Sequence, residues 1–149
     1  MLPFFLFSIF SFAGIDYFSY VIKQQTHMAT RSYIGKVQED GTIKALYCHY
    51  DGHPDTLGLN LLNHFGNAEK ANKLIDEKKD LRGVYGPFHT LEELDDSDPA
   101  RTFKSFGSYF DTAMNWFCEY VYLFQNGSWA CFGTDGELID LYNLQPENF

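Results

Sequence analysis

The 149-residue chain is 45% hydrophobic and 18% aromatic, which excludes a disordered polypeptide and suffices for one buried core. Its formal net charge of −9 repels phosphate backbones, so direct nucleic-acid binding is not expected, whereas solubility or a basic protein partner suits such a surface. Cys48, Cys118 and Cys131 are odd in number and widely spaced, with no C-x-x-C pair; free buried thiols in a reducing cytoplasm fit better than a disulfide framework.

Residues 1–27 differ from the rest. Leu2 to Ile22 is a run of apolar and aromatic residues with a single charge, Asp16, which Lys23 balances, so the acidic excess belongs to residues 28–149. Three readings compete. A membrane anchor needs about 20 apolar residues, and Asp16 within the span would cost about 2.5–3.5 kcal/mol. A secretory signal would need a basic stretch ahead of the apolar run, and there is none. The third reading takes Met28 as the natural start and the preceding segment as non-native upstream sequence. On any of them, 28–149 is expected to form a single domain, and the odd, unpaired cysteines argue against export and for the cytoplasm, that of the host cell if the protein is viral.

Along that domain, Asp40-Gly41, Asn126-Gly127 and Asp135-Gly136 are hairpin-turn dipeptides. The first joins strands over 32–39 and 42–48, the second over 119–125 and 128–132, and the third leads into a strand over 137–142. Between the hairpins the apolar spacing turns helical. Asp55 is a suitable N-cap for Leu57, Leu61 and Phe65, with Gly66 as a stop, and Asn67 caps a second helix with Ala68, Ala71, Leu74 and Ile75 as its stripe. Thr90-Leu91-Glu92-Glu93 has the capping-box pattern of a short helical turn. Residues 100–118 read as a broken helix, with Phe103, Phe106, Phe110, Ala113 and Phe117 as its stripe and Gly107-Ser108 as the break. The expected fold is α+β, with a five-stranded, largely antiparallel sheet and helices inserted between the hairpins on one face.

Chemistry concentrates in Tyr47-Cys48-His49-Tyr50-Asp51-Gly52-His53-Pro54, where a strand meets a turn. No metal is expected. His49, Asp51 and His53 on a straight strand are spaced about 6.8 Å apart, too far to converge on one ion. Nucleophilic catalysis by Cys48 lacks a neighbouring base, since adjacent strand residues face opposite ways and His49 therefore points away. Tyr47, His49 and Asp51 share a face on this reading, with Asp51 able to orient the imidazole and raise its pKa. Beside a helix start, Tyr47, His49, Tyr50, Asp51 and His53 form the candidate ligand- or partner-binding set. The structural alternative is an Asx turn at Asp51-Gly52, with Pro54 stiffening the entry to the helix. Two other clusters are read as structural: Tyr120, Tyr122 and Phe124 as a core-facing strand ladder, and Asp95, Asp96 and Asp98 as a solvated loop lacking the glycine and glutamate of a calcium loop.

Thr30-Arg31-Ser32, the YCHYDGHP stretch at 47–54, and Tyr122-Leu123-Phe124 with Gly127 and Trp129 together resemble a group of small uncharacterised proteins of bacteriophages and prophages. The resemblance spans about residues 28–132. It implies a single α+β domain, a viral or prophage origin and Met28 as the start, and carries over no activity, cofactor or catalytic residue. The expected function is therefore a non-enzymatic accessory protein that binds a host protein or small ligand, with inhibition of a host defence as its role. No cofactor is expected. Two alternatives stand beside it: a small hydrolase-like enzyme around His49 and Asp51, and a membrane-anchored interaction protein using residues 1–27.

Overall fold

The computed structural model describes residues 30–85 and 90–144; the apolar segment 1–27 and its competing readings lie outside them. Within them, β1 (Ser32–Val37) and β2 (Ile43–Cys48) pair antiparallel, with Ser32 opposite Cys48 and Val37 opposite Ile43. The other strands are β3 (Leu81–Tyr85), β4 (Thr90–Glu93), β5 (Arg101–Phe103), β6 (Tyr120–Gln125), β7 (Ser128–Phe132) and β8 (Leu138–Ile139). They join one mixed sheet in the order β4-β3-β2-β1-β6-β7-β8, with β5 also beside β2. Eight strands therefore replace the expected five. Turn dipeptides announce hairpins only, whereas the β1–β6 and β2–β3 pairings are parallel and join segments far apart in sequence.

The expectation of helices on one face is also corrected. α1 (Leu59–His64) and α2 (Ala68–Glu77) pack Leu61, Ala71, Leu74 and Ile75 against Ile34, Leu46, Tyr122 and Trp129 of the sheet. On the opposite face, α3 (Phe106–Asn115) packs Tyr109 and Ala113 against Tyr33, Ile43, Ala45 and Val121. Both faces being covered explains why all of β1 but Val37 is buried. Gly35 permits the close approach of α3: a Cβ there would lie 2.9 Å from the Tyr109 hydroxyl, which donates to the Tyr122 carbonyl at 2.8 Å.

Several helix boundaries depart from the sequence reading for local reasons. Residues 54–58 form a π-helical turn, and its N-cap is His53 rather than Asp55, with Pro54 in the first turn where its missing N–H is no loss. Asn67 does cap α2, its side chain accepting the Lys70 N–H at 2.9 Å, but Ala68 is exposed and drops out of the stripe. The segment read as a broken helix is β5 followed by an unbroken α3. Ser105 and Ser108 form a capping box, which places Gly107 in the first turn rather than mid-helix, and the buried stripe is Tyr109 and Ala113. Thr90–Glu93 is a strand, not a helical turn, because pairing with β3 buries Leu91 and outweighs the capping pattern. The expected strand over 137–142 shortens to β8, followed by a 3₁₀ turn at Leu141–Asn143.

The three dipeptides make two kinds of turn. Asn126 (φ 53°) and Gly127 (φ 81°) are both left-handed between paired Gln125 and Ser128, which is a two-residue type I′ hairpin. At Asp40-Gly41 only the glycine is left-handed, and Gly41 N–H donates to Gln38 O at 2.9 Å within a three-residue loop. Asp135-Gly136 repeats that arrangement. In both, the aspartate accepts the N–H two residues on, Thr42 and Glu137 each at 3.0 Å, which holds the aspartate in a right-handed turn.

Two buried charges tie the layers together. Lys36, 7% exposed, reaches Asn72 and Asp76 of α2 at 3.1 and 2.9 Å, and Lys44 meets the other Asp76 oxygen at 2.8 Å. Asp80 sits where β2 passes from pairing with β5 to pairing with β3. Its carboxylate accepts the Tyr47 N–H at 2.9 Å, standing in for a missing strand, and takes both terminal nitrogens of Arg101 at 3.0 and 2.6 Å. No helix among the described residues is long and apolar enough to cross a membrane.

Candidate functional site

The crowded turn begins where β2 runs past its last ladder residue. His49 and Tyr50 still donate backbone N–H groups to Leu81 and Arg82 of β3, at 2.9 and 2.7 Å. The chain then breaks from the strand at Asp51, whose φ of 60° is left-handed, a conformation aspartate tolerates better than most residues. Gly52 closes the turn by donating to Thr30 O at 2.9 Å, and the buried Tyr122 hydroxyl donates to Gly52 O at 2.6 Å, pinning the turn to the core.

This geometry divides the candidate residues. Tyr47 and His49 share a face, with the Tyr47 hydroxyl 2.7 Å from His49 Nδ1, and the His49 ring meets Tyr50 edge-on at 4.4 Å between centroids. Asp51 departs from the strand alternation that was to place it beside them. Its carboxylate lies against β3, where a Cβ on Gly83 would meet it at 2.7 Å, and its charge bears on the Cys48 thiol. His53 pairs instead with Asp55, Nδ1 to Oδ1 at 2.6 Å, and its ring packs edge-on against Tyr120 at 5.3 Å. The histidine–carboxylate pair in this stretch is thus built into the start of the π-helical turn.

The electrostatics around His49 run opposite to the sequence expectation. Burial, then the guanidinium charges of Arg31 and Arg82, push its pKa below the ordinary 6.5. Burial also raises the Tyr47 phenol to about 12, so it keeps its proton. The Arg31 guanidinium charge also bears on that phenol and opposes the rise. The Tyr47 hydroxyl and His49 Nδ1 share one hydrogen bond, which the phenol donates when the imidazole hydrogen sits on Nε2. The Tyr47–His49 pair, with the Arg31 charge bearing on both, suits an acceptor-rich group.

The thiols offer no comparable chemistry. Cys48, Cys118 and Cys131 are free and buried, and burial pushes each to about 12. Cys48 donates to Tyr50 O at 3.2 Å, which makes it part of the turn's scaffold. Among the described residues no group of three or more histidine, cysteine, aspartate or glutamate side chains is placed to hold a metal ion. A cleft of about 460 Å³ at the far end of the sheet, beside Gln38, Gln125 and Asn126, includes Lys36, already held by Asn72 and Asp76.

Arg31 and Trp116 of this corner escaped the sequence reading, and Phe117, read there as part of a helical stripe, lies beyond the helix end and outside the core. Arg31 figured there only as part of the start. Trp116 packs near Tyr47 at 6.3 Å between centroids yet stays 59% exposed, and Phe117 is 77% exposed. α3 ends in a Schellman motif, with Phe117 N–H donating to Met114 O and Cys118 N–H to Ala113 O, each at 3.0 Å. That motif needs a left-handed residue, usually glycine, and here Phe117 supplies it at φ 61°. The conformation costs an L-residue roughly 1–2 kcal/mol, of which glycine's larger unfolded freedom would offset about half. The only sequence signal was the absence of glycine or asparagine after the helix.

Comparison of the chain with protein-family models, with curated proteins and with solved structures finds no match.

Proposed function

We propose that the protein is a non-enzymatic binding module, a phage-type accessory protein that engages a host protein through the corner formed by Tyr47, His49 and Tyr50, with blunting of a host defence as its role. The observation that supports binding is the Tyr47–His49 hydrogen bond at a half-exposed strand end, with the Arg31 charge bearing on both side chains. The phage origin and the inhibitory role rest on the resemblance carried by Thr30-Arg31-Ser32, residues 47–54 and Tyr122-Leu123-Phe124, and on the small size of the chain. A hydrolase built on His49 and Asp51 loses its support, because His49 is oriented by a phenol and lies under two guanidinium charges. Attachment to a membrane would depend on residues 1–27.

The test compares three full-length proteins, wild type, Cys48→Ala and His49→Ala, at matched folded fraction for capture of a partner from bacterial host extract. Capture by wild type and Cys48→Ala but not by His49→Ala is the expected result. Loss with Cys48→Ala and retention with His49→Ala would overturn the assignment and return attention to the thiol.

A further inference from the structure

We infer that the exposed aromatic corner at the C-terminal end of α3, Trp116 and Phe117, is the docking surface for the chain's own apolar run Leu2–Ile22. This goes beyond the binding reading above and does not rest on it.

Two consecutive rings stand in water where local structure asks for neither. Phe117 holds the left-handed position of the Schellman motif, which glycine fills with less strain, and its ring is exposed. Trp116 lies 6.3 Å from Tyr47 between ring centroids and is otherwise exposed. Apolar surface of this kind gains by contact with a second apolar surface. The other exposed large apolar side chains among the described residues lie elsewhere. Phe106 opens α3 at its far end, Tyr85 ends β3, and Leu138 and Tyr142 belong to β8 and the turn after it.

The course of the chain names the occupant. β1 begins beside this corner: Arg31 O accepts the Glu119 N–H at 2.8 Å, and Glu119 follows Phe117 by two residues. Thr30 is buried and accepts the Gly52 N–H at 2.9 Å, which fixes the point where the N-terminal segment joins the domain. Residues 23–29 span about 25 Å when extended, and Phe117 lies within about 8 Å of Glu119, so the run reaches the corner with chain to spare. Leu2–Ile22 carries one charge, Asp16, against Phe4, Phe5, Phe7, Phe10, Phe12 and Phe18, so contact with the two rings removes apolar surface from water on both sides. A short tether sets an effective concentration in the millimolar range, about a thousandfold above a free partner at micromolar concentration. The run therefore takes this surface ahead of a second copy or an unlinked segment. Every described element lies within residues 30–144, so docking covers the domain and does not build it.

The experiment uses full-length proteins throughout. Of the two tryptophans Trp116 is exposed and Trp129 buried, so acrylamide quenching of the emission reports on Trp116. The wild type should be a monomer by light scattering, with Trp116 shielded equally at about 1 µM and about 50 µM. Phe4→Ser, Phe5→Ser, Phe7→Ser and Phe10→Ser together should uncover Trp116 and steepen the quenching. As an independent readout, Phe117→Gly should speed chymotryptic cleavage within Leu2–Ile22 about fivefold or more, at a Tm no lower than that of the wild type. Equal quenching of the wild type and the serine variant, or unchanged cleavage in Phe117→Gly, would sink the inference. Shielding lost on dilution would overturn it in favour of a second copy. Wild type that floats with phosphatidylcholine vesicles, with Trp116 quenched as in the serine variant, would overturn it in favour of a lipid anchor. Partner capture through Tyr47 and His49 is read separately and stands under each of these outcomes.

Discussion

Asp80 and His49 show how one side chain sets a local balance in this protein. Asp80 replaces a backbone acceptor in the gap between β5 and β3 while neutralising Arg101. Asp80→Ala would leave the Tyr47 N–H without its acceptor and Arg101 without its bidentate partner, and is expected to cost about 3 kcal/mol, read from the urea midpoint. A loss under 1 kcal/mol would mean that water fills the gap equally well. At His49 the pKa lies below 6.5 because of burial and then Arg31 and Arg82. The unfolded chain regains the ordinary value, so below it the unfolded state binds more protons than the folded one. The stability associated with a neutral His49 is complete above pH 6.5 and is lost as pH falls through the lowered folded value. His49→Gln should flatten that part of a Tm–pH profile, whereas an unchanged slope would place the proton uptake elsewhere. Asp40 and Asp76 titrate lower, below 3.8. Hydrogen bonds to Thr42 hold Asp40 there, and at Asp76 burial opposes the charge but the Lys44 and Lys36 bonds outweigh it.

Among the elements, turns and caps were the most legible part of the sequence and strand partners the least. Asn126-Gly127 makes the turn its dipeptide implies, since both residues tolerate positive φ. A Cβ at Gly127 would meet nothing within 4 Å, so the penalty for a larger residue there is purely one of backbone conformation. Gly127→Val is expected to destabilise by roughly 2 kcal/mol; an unchanged Tm would contradict the type I′ geometry. The Asp-Gly turns at 40–41 and 135–136 differ because the aspartate bonds forward to residue 42 or 137. β4 and β5 were missed for a related reason. Thr90–Glu93 and Arg101–Phe103 have little alternation of their own and exist as strands through β3 and β2.

For the whole molecule, the parallel β1–β6 pair is decisive. α3 crosses one face of the sheet and delivers β6 beside β1, while α1 and α2 cover the other face. Every described element lies within residues 30–144. A chain begun at Met28 is accordingly expected to unfold in one cooperative transition, measured by urea titration with two spectroscopic probes. Non-coincident curves, or no folding at all, would make residues 1–27 part of the fold.

The sequence by itself determined what depends on neighbours along the chain: the α+β class, the Asn126-Gly127 hairpin, the Asn67 cap, and the burial of Tyr122, Phe124 and the thiols. These result from intrinsic φ preference, side-chain reach and hydropathy. Tertiary structure alone decided the eight-stranded order, the second covered face and the composition of the functional corner. Tyr47 and His49 were placed together correctly because the strand continues to Tyr50, and Asp51 was not, because a left-handed residue ends the alternation there. Trp116 comes within ring contact of Tyr47 only once α3 is docked, since the two lie 69 positions apart in the chain and no local preference encodes such a distance; Arg31 is brought to the same corner by the β1–β2 hairpin.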